Sequence, residues 1–188
     1  MSEAHLDAIA GFLLDLEKLK RVTRTAYVSD LSRHENSAEH SWHLAMGLLT
    51  LARELDLPID VSRAVRMALA HDVCEIDAGD VSVYDPEQAQ KAERERACVD
   101  RLAGQGLKWG QEMRELWQEY EAQETPESRW VKVLDRVMPF LVNLATEGRA
   151  WRDRDISRSQ VLAVNEVVRE QAPELFAWMR MRIETCVE

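Results

Sequence analysis

His71-Asp-Val-Cys-Glu-Ile-Asp-Ala-Gly-Asp80 is the stretch on which the reading of this chain turns. His71 and Asp72 are adjacent, so in mid-helix their side chains would point about 100° apart. At the last turn of a helix they can still converge on one atom. Glu75 follows His71 by four residues and Asp72 by three, so all three can line one helix end. The helix expected before them, Val61 to Ala70, repeats Val61, Ala64, Val65, Ala68 and Leu69 at helical spacing. A buried helix that ends in an imidazole and two carboxylates has to compensate that polarity, because unpaired buried charge costs several kcal/mol. A divalent cation is one compensation, since it converts repulsion into coordination.

The bulk properties bound the rest. A chain of 188 residues with 46% apolar residues has enough for one core, and is read as a single domain over 1–188. The formal net charge of −10 argues against a nucleic-acid partner, which needs a basic face. It leaves room for a small phosphorylated substrate, because a bound metal and a few arginines set the local field. The Met-Ser-Glu-Ala-His start lacks the basic-then-apolar layout of a signal peptide. No apolar run approaches the roughly 20 residues that span a bilayer. Cys74, Cys98 and Cys186 form an odd set without close pairing and read as reduced thiols. Together these lead to the expectation of a cytoplasmic protein without a membrane partner.

Taken in order, Glu3 to Leu19 reads as an amphipathic helix with Leu6, Ile9, Leu13, Leu16 and Leu19 as its inner stripe. Lys20 to Asn36 lacks periodicity and reads as an ordered loop, a length that in compact domains is usually functional. Ser37 is the expected cap of a helix reaching Leu55 and carrying His40 and His43. Asp60 caps the helix that leads to His71. Asp85-Pro86-Glu87 starts a highly charged helix ending near Gly104, followed by a helix from Trp109 to Gln123. Thr125-Pro126-Glu127 starts the next one, apolar on more than one face and therefore central, with Asp135 and Pro139 inside it and Gly148 at its end. Ser159 to Glu170 and Glu174 to Thr185 read as two closing helices within residues 157–186. No alternating β-branched run and no solenoid-length repeat is found. The expected class is all-α, with about seven or eight helices.

His40, His71, Asp72 and Asp135 come from three separate expected helices and could complete a metal site. Such a mixed N/O shell suits Mn²⁺, Co²⁺, Fe²⁺, Ni²⁺ or Zn²⁺ better than Ca²⁺. Four protein ligands on an octahedral ion leave positions for water and a substrate oxygen. Each residue also has an ordinary reading. His40 could be a hydrogen-bonded core histidine, Asp72 a helix-end ion pair, and Asp135 the partner of Arg136. His43 reads as packing, His34 and His5 as surface, and Cys74 as small buried filler. The six tryptophans read as core or subunit interface.

The ordered pattern His40 … His71-Asp72 … Asp135 resembles the HD-domain metal-dependent phosphohydrolases. Ser-Ala-Glu-His-Ser at 37–41 is similar to the element that carries their first metal ligand. His-Asp-x-x-Glu-x-x-x-Gly-Asp at 71–80 resembles the small 5'-deoxynucleotidase branch, the nucleoside 5'-monophosphatases. Lys132-Val-Leu-Asp135 resembles its last motif, and Leu19-Lys-Arg-Val-x-Arg-Thr25 its N-terminal substrate loop. The likeness covers residues 10 to 150. It departs where related chains carry a tryptophan in the loop before the first histidine; here the nearest aromatic is Tyr27.

The resemblance implies an HD-domain helical bundle, usually a homodimer, that removes phosphate from (deoxy)nucleoside monophosphates. It implies that His40, His71, Asp72 and Asp135 hold one divalent metal, Co²⁺ or Mn²⁺ by preference, with Mg²⁺, Fe²⁺, Ni²⁺ or Zn²⁺ as alternatives. It implies that Glu75 acts on the attacking water, that Asp80 holds the deoxyribose end and that Arg24 contacts phosphate. Glu75, one turn from two of these ligands, could equally protonate the leaving oxygen. Arg21 is the second choice for phosphate charge, and Lys132, one turn before Asp135, could help neutralise it or be a surface lysine. Two other readings compete: a phosphodiesterase or nucleotide pyrophosphohydrolase on the same scaffold, and a non-catalytic helical regulatory domain stapled by its metal. Ile76 after Glu75 disfavours the alarmone hydrolases, which resemble His-Asp-x-x-Glu-Asp.

Overall fold

Why the helices begin where they do is set mainly by caps. In the computed structural model, which describes residues 2–86, 88–184 and 186, Ser2 caps α1 (Glu3–Glu17), which tightens into a 3₁₀ turn over Lys18–Arg21. Asp60 accepts from the Arg63 N–H and starts α3 (Val61–Ala70). Thr125 and Ser128 exchange side-chain to backbone bonds at the start of α7 (Pro126–Ala145), with Pro126 in the first turn where its missing N–H costs nothing. Helix α2 spans Ser37–Glu54, α4 is a single turn over Glu75–Ala78, α5 covers Gln88–Ala103 and α6 Lys108–Ala122. The end of the chain contributes α8 (Arg149–Asp153), α9 (Arg158–Val164), α10 (Glu166–Gln171) and α11 (Pro173–Ile183). Part of the expected Asp85-Pro86-Glu87 helix start, Glu87, lies outside the described residues, as does Thr185 at the expected end of the last helix.

The all-α class holds, with short pieces added. Lys20 to Asn36 contains a small antiparallel ribbon, β1 (Thr23–Tyr27) with β2 (His34–Asn36), pairing Thr23 with Asn36 and Tyr27 with His34. The expected helix from Ser159 to Glu170 is two helices, because it is interrupted at Asn165. The inner stripe of α1 is also corrected: Leu6 and Leu13 are about half exposed, at 49% and 59%. Leu19 is buried as expected, and Phe12, outside that stripe, is buried against Gly110 of α6.

Helix α7 is central. Val131, Val133 and Leu134 are fully buried, facing Leu44 and Leu48 of α2 and Ala64 and Met67 of α3 in one core cluster. A core that packs α2, α3 and α7 together brings the start of α2, the end of α3 and the middle of α7 to one point. Among the described residues no helix is long and apolar enough to cross a membrane.

Candidate metal centre

The first imidazole is delivered by a cap. Asn36, not Ser37, is the N-cap of α2: its side chain accepts from the Glu39 N–H at 3.0 Å, and Glu39 accepts from the Asn36 N–H at 3.1 Å. That leaves the buried Ser37 hydroxyl to donate to Glu75 Oε2 at 2.5 Å. His40 follows in the first turn and is fully buried, its Nε2 3.1 Å from Asp135 Oδ1 on α7 and 3.9 Å from Asp72 Oδ2.

His71 closes α3. Its Nδ1 donates to the Ala68 carbonyl at 2.8 Å, which fixes the ring and turns Nε2 toward the carboxylates. That Nε2 is buried without a hydrogen-bond partner, 3.1 Å from Asp72 Oδ1 and 3.9 Å from Asp135 Oδ1. One ligand atom from each of His40, His71 and Asp72 lies within 4.8 Å of the others. The second Asp135 oxygen accepts from the Tyr120 hydroxyl at 2.9 Å. An unpartnered imidazole nitrogen aimed into a nest of carboxylates fits a divalent ion. Two nitrogen and two oxygen donors are a set that such ions accept.

A model described as HD domain matches residues 16–176. The chain belongs to the HD domain family. Its relatives include the 5'-deoxynucleotidase HDDC2 of Danio rerio, 32% identical over 137 residues (70% of this chain, 66% of the relative). The Homo sapiens protein of the same name is 33% identical over 134 residues, 69% of this chain and 63% of the relative. The chain thus spans just under two thirds of the length of these curated relatives. A solved structure described as a predicted metal-dependent phosphohydrolase, from Magnetospirillum magnetotacticum MS-1, is 39% identical. It superposes with a TM-score of 0.87, covering 95% of this chain and 91% of the other.

Around these four side chains the structure gathers more charge than it cancels. Gly79, at φ +75°, ends α4 in a conformation that L side chains rarely adopt and returns Asp80 over the centre. The Arg24 guanidinium reaches in from β1, 2.9 Å from Asp72, 3.6 Å from Asp80, 3.7 Å from Glu35 and 3.9 Å from Glu75. Burial disfavours its charge, but these carboxylates outweigh that and hold its pKa above the ordinary value. Lys132 donates to the Tyr120 hydroxyl at 2.8 Å and lies 3.4 Å from Asp135, on the wall of a cavity of about 280 Å³. Arg21 is not brought in: it is three-quarters exposed and pairs with Glu17 at 3.3 Å. Its position in the 3₁₀ turn, outside the β-ribbon, keeps it on the surface. His43 is part-exposed beside Trp42, and His34 stacks on Tyr27 with ring centres 4.2 Å apart.

The ionisation states follow from burial and neighbours. Burial, then the Asp72 charge, pushes Glu75 up to about 9. Burial also pushes Glu35 up to about 7 and raises Asp80. Burial and Arg24 pull His40 down to about 4, so its imidazole is neutral at neutral pH. For His71 burial works the other way from its neighbours; Asp72 and Asp135 outweigh it and lift the imidazole to about 10. That lift measures a demand for positive charge which a bound cation would meet instead. Asp72 and Asp135 stay ionised below the usual carboxylate range; burial opposes this, and His71 and Lys132 respectively prevail.

Sequence reasoning missed Glu35 and Tyr120. The signal for Glu35 was the two-residue alternation of β2, with His34 exposed and Glu35 buried. Its Oε2 is 3.7 Å from both His40 Nδ1 and Arg24 Nε.

Proposed function

We propose that the chain is a metal-dependent phosphomonoesterase that releases phosphate from (deoxy)nucleoside 5'-monophosphates. One observation carries it: two imidazoles and two carboxylates from three helices converge at the wall of a cavity that also holds Glu75, Arg24 and Asp80. The names of the relatives point to the same substrate class.

In this reading His40, His71, Asp72 and Asp135 hold the ion, Co²⁺ or Mn²⁺ by preference. When bound, it supplies Lewis-acid polarisation of the phosphoryl oxygen and of the attacking water. Arg24 takes phosphate charge through its planar fork, and Lys132 adds to it from the rim. Glu75, protonated at neutral pH in its buried position, carries the proton that the leaving 5'-oxygen needs; Ser37 holds its other oxygen in place. Asp80 accepts from the 3'-hydroxyl and repels groups that crowd it. We read the chain as a single catalytic unit, cytoplasmic and homodimeric, with no nucleic-acid or membrane partner.

The test is a phosphate-release panel on the metal-loaded protein with Co²⁺, Mn²⁺, Mg²⁺ and Zn²⁺. It comprises deoxy- and ribonucleoside 5'-monophosphates, cyclic nucleotides and ppGpp. Release from the 5'-monophosphates alone is expected; turnover only of diesters or of ppGpp would reject the reading. Glu75→Gln should cut turnover by roughly 10² or more with bound metal unchanged.

A further inference from the structure

Gly79 lets the chain turn back after α4, but a permissive φ does not by itself hold Asp80 in place. The turn that follows is closed by its own atoms. The Asp85 N–H donates to the Ser82 carbonyl at 2.9 Å, and the Tyr84 N–H to Ser82 Oγ at 3.4 Å. These bonds set the shape of the turn, not its place in the molecule. A tether to the rest of the chain comes from Arg154, which lies beyond all of the sequence motifs. One guanidinium nitrogen of Arg154 donates to the Ser82 hydroxyl, and the other to Asp85 Oδ1 at 2.5 Å. The Asp85 side chain is 40% exposed, so that ion pair alone would contribute little. Ser82 is buried, and a planar fork held at two points fixes orientation as well as distance.

Arg154 reaches out from a rigid base. It ends α8, and the Trp151 carbonyl accepts from the N–H groups of Arg154 and Ile156 at 3.3 and 2.9 Å. Trp151 and Ile156 are both buried, and the Trp151 ring packs on Phe140 of α7 with centres 5.6 Å apart. Two core side chains therefore fix the backbone on either side of Arg154. The residue lines the cavity beside the metal centre and also a second one of about 300 Å³, and it shares both walls with Arg24 and Asp80.

We propose that Arg154 is a positioning residue. It holds the Ser82–Asp85 turn against the end of α8, and so keeps the Asp80 carboxylate where a substrate 3'-hydroxyl meets it. The proposal rests on the nucleotide reading above. Arg154 touches no reacting atom in it and acts through Asp80.

Two measurements on the full, metal-loaded chain test this. The first is steady-state kinetics on the deoxynucleoside 5'-monophosphate turned over fastest, for wild type, Arg154→Ala, Arg154→Lys, Asp80→Ala and the double alanine variant. Arg154→Ala should raise KM roughly tenfold with kcat within about twofold, because it loosens a group that binds substrate rather than one that moves a proton. Arg154→Lys reaches one partner but cannot fork, and should recover part of the loss. The double variant should be no weaker than Asp80→Ala, because both changes act through one carboxylate. The second is amide hydrogen exchange, which needs no substrate. Exchange over residues 80–85 should rise in Arg154→Ala while α7 keeps its wild-type protection. An unchanged KM in folded Arg154→Ala, losses that add in the double variant, or a fall in kcat overturns the proposal; the last two would make Arg154 a direct phosphate ligand. If wild type releases phosphate from no monophosphate, the phosphatase reading fails instead, and hydrogen exchange alone decides whether Arg154 holds the turn.

Discussion

Glu35 joins two parts of the centre that have no covalent connection. One of its oxygens is 3.7 Å from His40 Nδ1 and 3.7 Å from Arg24 Nε, and both nitrogens are otherwise unpartnered in a buried setting. A carboxylate beside the far nitrogen of a ligating imidazole fixes its tautomer and raises its basicity, and losing such a partner costs about 10–100-fold in metal affinity. Glu35→Ala should therefore weaken Mn²⁺ binding to the metal-free protein by roughly 10–100-fold in a calorimetric titration. Glu35→Gln, which keeps an oxygen acceptor, should recover part of that loss. Equal affinity in all three proteins would leave Glu35 as a mere neighbour of Arg24.

The helix pair α2–α7 sets the spacing between His40 and Asp135. Gly47 lies two turns after His40, and a Cβ there would come within 2.9 Å of Met138 Cε and Sδ and 3.3 Å of Leu134 Cδ1. Met138 and Leu134 of α7 thus fill the space a side chain at 47 would take, and His40 and Asp135 face each other at 3.1 Å. Gly47→Leu should cost about 1–3 kcal/mol by overpacking, read as a lower urea midpoint. It should also lower the metal bound per chain. An unchanged midpoint with full metal loading would mean that α7 has slack elsewhere. How much of this was legible follows from the same elements. Asp60, Thr125-Pro126 and the His71–Asp80 stretch carry local chemistry strong enough to mark helix ends and a polar cluster without tertiary context. The β-ribbon was read as loop because Thr23-Arg-Thr-Ala-Tyr27 is short and mostly polar, and it pairs only because Asn36 returns beside Thr23. The buried face of α1 was misjudged because Leu6 and Leu13 share the helical spacing of Leu16 and Leu19, while Phe12 stands outside it. Which side of an amphipathic helix meets a core depends on the surface it meets, here Gly110. Glu35 was passed over because the alternation of a three-residue strand is too short to stand out until Arg24 and His40 surround it.

At the scale of the whole molecule, acidic charge is also gathered at one interior point, in a chain whose formal net charge is −10. Glu35, Asp72, Glu75, Asp80 and Asp135 crowd around Arg24, with Lys132 at the rim, and burial raises Glu35 and Glu75 into or above the neutral range. The metal-free centre is therefore a strained junction of α2, α7 and the end of α3, and an ion binding there would relieve repulsion while clipping the three helices together. A ligand that binds only the folded state stabilises it by RT ln(1 + [L]/Kd), about 2.7 kcal/mol at a hundredfold excess over Kd. Adding Co²⁺ or Mn²⁺ to chelator-stripped protein should thus raise Tm in a concentration-dependent way, and EDTA should reverse the rise. His40→Ala should abolish the response, because it removes a ligand from α2, whereas Arg21→Ala should keep it, because Arg21 lies on the surface against Glu17. A rise that persists in His40→Ala would mean that the ion binds elsewhere. The three helices would then be held together by their apolar core alone.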